Sequence, residues 1–130
     1  MSSVLARWTL LVRLLFVGFA MALGGCGNTV GRDLPLDRDL AFASLETALK
    51  AWVDGKKPDE LKPKIIMGDF GWESGKTLVS FQIQKDQARG DGTNLYIPVV
   101  REFRGKGGNV TKSETTYIVG TSPVITIFPQ

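Results

Sequence analysis

Histidine is absent from this chain and cysteine occurs once, at position 26. Without an imidazole the sequence cannot build a histidine-based acid/base pair, and without a second thiol it forms neither an intramolecular disulfide nor a multi-thiolate zinc site. No metal site and no cofactor is expected from what remains. Acidic residues are missing from the first 25 positions, which hold two of the 16 basic residues, Arg7 and Arg13. Setting that segment aside leaves 14 basic against 13 acidic residues, so the formal charge of +3 falls to +1. The remaining Lys and Arg are interspersed with Asp and Glu, and the basic stripe of a nucleic-acid binder is lacking. Long apolar runs are lacking too. The uncharged stretch 14–25 spans 12 residues, whereas crossing the hydrocarbon core takes about 20, and Arg13 interrupts any extension. A chain of 130 residues leaves room for one domain.

What is present begins with the layout of an export signal: Arg7 and Arg13 lead an apolar run from Leu14 to Leu23, and small residues follow. Its end, Leu23-Gly24-Gly25-Cys26, resembles the lipobox of bacterial lipoproteins. That resemblance implies a diacylglyceryl group on the Cys26 thiol, cleavage between Gly25 and Cys26, and anchoring through fatty acyl chains such as palmitate. Gly27 in place of Asp after the cysteine implies the outer rather than the inner membrane. Two or more chains hold a protein on a bilayer where one gives marginal binding, because each buried CH2 contributes about 0.8 kcal/mol.

Residues 26–37 combine Gly, Asn, Thr, Pro and charges without an apolar period and read as a tether. The folded domain is expected over 38–130. Ala41, Phe42, Leu45, Ala48, Leu49, Trp52 and Val53 recur at steps of three and four, the spacing of one helical face. Asp37 or Asp39 is placed to cap this helix, Glu46 and Lys50 to pair across one turn, and Gly55 to close it ahead of Pro58.

Beyond the helix the pattern is that of strands: a short one at 64–67, then 77–84, 94–103, 110–119 and 124–128, with a polar turn at 85–92 and a glycine-rich hairpin loop at 104–109. Within 77–84 the alternation places Thr77, Val79, Phe81 and Ile83 on one face. Short connections predict antiparallel neighbours. The expected fold is α+β, one N-terminal helix packed on a curved antiparallel sheet of four to five strands.

That order of elements is similar to the cone-shaped fold of cystatins and nuclear-transport-factor-like proteins, in which a sheet wraps the first helix. The tail running from Thr116 through Phe128, with Leu49-Lys50-Ala51-Trp52 at the helix end, also resembles a group of small bacterial lipoproteins of planctomycete type. The second resemblance implies no activity, whereas the first implies that acid/base work, where a cone-fold protein does any, comes from carboxylates or tyrosines lining the cavity. The cystatin wedge Gln-x-Val-x-Gly is reproduced neither by Phe81-Gln82-Ile83-Gln84 nor by Ile118-Val119-Gly120, so protease inhibition is not expected. Gly71-Trp72-Glu73-Ser74-Gly75-Lys76-Thr77 imitates a phosphate-binding loop with three residues between its glycines where four are required. A β-pattern follows instead of a helix, so no nucleotide is expected.

One loop stands out. Asp69 and Glu73 flank Phe70 and Trp72 between glycines, and a carboxylate in so apolar a setting can have a raised pKa suited to proton transfer. With no histidine, a general base has to come from these acids, a lysine, Tyr96 or Tyr117. Two readings follow. The first is a lipid-anchored envelope protein presenting a noncatalytic domain to another envelope protein. The second is a small-molecule binder or acid/base enzyme using a pocket between helix and sheet. An interior filled by Phe42, Leu49, Trp52, Phe81 and Tyr117 favours the first, and an open cavity with convergent polar groups the second.

Overall fold

The computed structural model describes residues 35–130. The signal segment, Gly25, Cys26 and the tether up to residue 34 lie outside the described residues.

Helix α1, Arg38–Val53, starts where Asp37 accepts a hydrogen bond from the Leu40 amide, satisfying one of the four unpartnered donors of the first turn. The Asp37 amide donates to Thr121 Oγ1, tying the helix start to a distant turn. At the other end Asp54 is the C-cap and Gly55 follows at φ +80°, a conformation that side chains resist. Glu46 and Lys50 pair at 3.2 Å on the exposed side. The buried face runs Ala41, Ser44, Leu45, Ala48, Leu49, Ala51 and Trp52. Its three alanines and serine bring the helix axis close to the sheet, while Leu45, Leu49 and Trp52 supply the apolar area, each such side chain contributing about 1.5–3 kcal/mol on burial.

Six strands follow: β1 Ile65–Met67, β2 Thr77–Ile83, β3 Arg89–Gly90, β4 Asn94–Arg104, β5 Val110–Gly120 and β6 Ile125–Pro129, with a four-residue helix α2, Phe70–Glu73, between β1 and β2. The sheet order is β1-β6-β5-β4-β2, and β3 shares the β2 side of β4. The centre is the long β4–β5 hairpin, paired from Asn94↔Gly120 to Arg104↔Val110. Its loop turns through Gly107 and Gly108, both at positive φ. Pro98, which has no N–H to give a ladder, sits where β2 gives way to β3 along β4.

The α+β architecture stands as expected, one helix against a curled sheet, with three differences. First, β1 pairs with β6 in parallel, Ile65↔Ile125 to Met67↔Ile127, so the sheet is mixed rather than purely antiparallel. β1 and β2 lie at opposite edges because α2 and the Gly75 turn carry the chain across between them. Second, the polar turn expected at 85–92 contains β3. Third, β2 carries a bulge between Leu78 and Ser80 that reverses the alternation: Leu78 is buried and Thr77 exposed. The extra residue lets Leu78 and Phe81, three apart, both face inward opposite Phe103 and Arg101.

The core is continuous. Leu45, Leu49, Leu95, Ile97, Tyr117 and Ile127 are wholly buried, and Trp52 is 3% exposed. Phe42 and Phe81 pack against this cluster from its margin, half-buried rather than central. Among the described residues no helix is long and apolar enough to cross a membrane.

Candidate functional site

The loop singled out in the sequence sends its four side chains to different places. Asp69 has extended backbone and caps α2, its Oδ1 accepting from the Gly71 amide at 2.9 Å. Phe70 is 82% exposed, Trp72 is buried, and Glu73 lies at the exposed end of α2. The loop is therefore not a shared acid pair: Asp69 faces the interior and Glu73 faces solvent. The segment 71–77 passes directly into β2, as a turn entering a strand does.

Asp69 is the one buried carboxylate among the described residues. Its Oδ2 accepts from Tyr117 Oη at 2.6 Å and from Arg101 Nη1 at 3.3 Å. Arg101 Nη1 also donates to Tyr117 Oη at 3.1 Å, and Nη2 donates to Ser113 Oγ at 3.2 Å. The guanidinium lies 5.0 Å from the Phe103 ring centroid and 5.8 Å from that of Tyr117, within cation–π range of both. Its Nε is buried with no hydrogen-bond partner among the described residues. Burial, then the hydrogen bond to Asp69 and its negative charge, push the Tyr117 hydroxyl well above the ordinary tyrosine value, although Arg101 pulls the other way. Tyr117 consequently remains a donor throughout the physiological range. Asp69, with three donors already in place, has its accepting positions largely occupied.

Tyr96, the other tyrosine, donates to Asp91 Oδ2 at 3.1 Å on the surface, and this bond with the neighbouring charge holds its hydroxyl above the ordinary value. Asp91 accepts from the Thr93 and Asn94 amides as well, and these bonds lower its pKa. The arrangement is a side-chain-stabilised turn.

Arg101 was not among the residues the sequence singled out. The signal was present, because Leu95, Ile97, Val99, Arg101 and Phe103 form a period-2 row and Arg101 is the charged member of an otherwise apolar face.

The space between helix and sheet is filled by the core side chains described above. A hollow of about 590 Å³ opens instead at the C-terminal end of α1, around Trp52, Lys56, Lys57, Trp72 and Lys76. The indoles of Trp52 and Trp72 stack there with centroids 5.3 Å apart and planes within 5°. Trp52 Nε1 donates to the Lys76 carbonyl at 2.8 Å, and Trp72 Nε1 to the Lys56 carbonyl at 2.7 Å. The pair thus fastens the chain after α1 to the chain before β2. Among the described residues no cluster of three or more His, Cys, Asp or Glu side chains is placed to hold a metal ion.

Comparison with known proteins finds no matching family model, no matching curated protein and no matching solved structure.

Proposed function

We propose that this chain is a lipid-anchored protein of the bacterial cell envelope whose folded domain is a noncatalytic interaction module. The anchor rests on Leu23-Gly24-Gly25-Cys26 at the end of the apolar run, with no second cysteine to compete for another role. Anchoring through several acyl chains keeps the domain at a membrane surface; Gly27 after the cysteine favours the outer membrane.

The observation that carries the noncatalytic reading is the state of Asp69. A general base needs a free lone pair within reach of substrate, and this carboxylate is 4% exposed and engaged by Tyr117, Arg101 and the Gly71 amide. Its partners complete a structural latch. Glu73, the other acid of the loop, is exposed, at the solvent end of α2.

Mass spectrometry of the membrane form tests the anchor. The expected product begins at an acylated Cys26, and Cys26→Ser abolishes it; mature protein retaining residues 1–25 overturns it. Affinity capture from native membranes, with the captured proteins reciprocally tagged, tests the module. If instead a small molecule binds the domain and is turned over in a manner abolished by Asp69→Asn or Glu73→Gln, the protein is an acid/base enzyme.

A further inference from the structure

We propose that the free edge of β2 binds an extended, acidic-ended peptide segment by strand addition. This deepens the interaction-module reading and rests on it. The sheet has two edges. β1 is three residues long and has the 3-10 turn Pro58–Leu61 against it, whereas β2 spans seven residues and pairs only with β4. Among the described residues no backbone group pairs along its second edge. Such a row of unpaired N–H and C=O groups is a template for another strand. The bulge at Val79 breaks its regularity, so the pairing stretch is 80–83.

A trough runs beside that edge. One hollow of about 420 Å³ is lined by Lys50, Val53, Asp54, Val79, Ser80 and Phe81. The larger hollow at the end of α1 shares Val53 with it and continues past Lys76 and Thr77. Val53 is 39% exposed and Phe81 half-buried, which gives alternate side chains of an added strand apolar surface to cover.

Charge decides what the far end accepts. In the smaller hollow Lys50 is already held by Glu46 and Asp54 lines the wall beside it, so that part of the trough offers no net cation. In the larger one Asp59 pairs with Lys62 at 2.9 Å and the neighbouring Glu60 accepts from the Lys57 amide, so Lys56, Lys57 and Lys76, the last over the Phe103 ring, outnumber the one remaining lining carboxylate, Glu73. Those three ammonium groups fit carboxylates near one end of the incoming segment, with apolar side chains at alternate positions along the rest.

The full chain, purified in detergent, is panned against a random library of short linear peptides, and the selected peptides are synthesised. Acidic-ended binders are expected, with NMR shifts and slowed amide exchange at 80–83. N-methylation of alternate peptide amides, which leaves the protein untouched, is expected to weaken binding at least about tenfold, as is Lys56→Glu combined with Lys57→Glu. The proposal is overturned if no peptide is selected, if N-methylated peptides bind equally, or if the shifts lie on another face. Concentration-dependent protection of 80–83 without peptide also overturns it, since the edge then belongs to a second copy. Mass analysis of Cys26 in the same preparation reads the anchor separately, so either result can fail without the other.

Discussion

Tyr117 and Asp69, 48 residues apart in sequence, meet through a 2.6 Å hydrogen bond that is buried at the concave face of the sheet. Arg101 closes the contact into a triangle, and the charge of each ionised member is compensated by the other. Breaking one side of such a group costs more than replacing all of it, because the remaining charge stays buried without a partner.

Asp69→Ala is therefore expected to destabilise the domain by about 3–5 kcal/mol, and pairing it with Arg101→Met to recover most of that loss. Urea unfolding with an unchanged slope measures both. A loss that persists in the double variant means that the cap on α2 dominates.

The raised pKa of Tyr117 makes stability depend on alkaline pH in a defined direction. The folded state holds this proton more tightly than the unfolded chain, whose tyrosine titrates near about 10. The contribution is present in full below that value and is lost as pH rises through the higher folded one. Tyrosinate absorbance is expected to show Tyr117 ionising only as the domain unfolds, and Tyr117→Phe to flatten the fall of stability above about pH 10.

Trp52→Ala removes a ring stacked on Trp72 and tilted against Phe103 at 5.4 Å. A loss of about 3–5 kcal/mol is expected. Trp72→Phe keeps an aromatic ring but removes the bond to the Lys56 carbonyl, for about 1 kcal/mol. In the same four-residue helix, Phe70→Ser is expected to change stability by less than about 0.5 kcal/mol, since that ring is already in solvent. Thermal melts compare the three.

A Cβ at Gly68 would stand 2.6 Å from Cε1 of Phe128, whose ring lies over that glycine. Gly68→Ala is expected to cost about 1–3 kcal/mol by overpacking. Adding Phe128→Ala is expected to make the pair less damaging than the sum of its parts by at least about 0.5 kcal/mol, read from a double-mutant cycle.

The sequence made these elements legible to different degrees. Leu45, Leu49 and Trp52 revealed α1 because helical periodicity is local, and the alternation of β4 and β5 revealed which face each strand buries. Alternation encodes a face and says nothing about a neighbour, so the parallel pairing of Ile65 with Ile125 was invisible. One inserted residue at Val79 was enough to reverse the face expected for Leu78. That Asp69 is engaged rather than free for proton transfer was hidden, because its donors, Arg101 and Tyr117, come from strands 32 and 48 residues away. The hairpin that brings these donors under the loop is legible; which inward positions touch Asp69 is a matter of three-dimensional registration.

The parallel pair of β1 with β6 also orders events in time. During synthesis Ile65 emerges 60 residues ahead of Ile125, its partner. At about 5–20 residues per second that is an interval of roughly 3–12 seconds. Throughout it, Ile65, Ile66 and Met67 have no strand to join, and the sheet cannot close over the second flank of α1. The sheet therefore closes only after β6 has emerged, and until then the domain stays open along the flank that β1 is to cover.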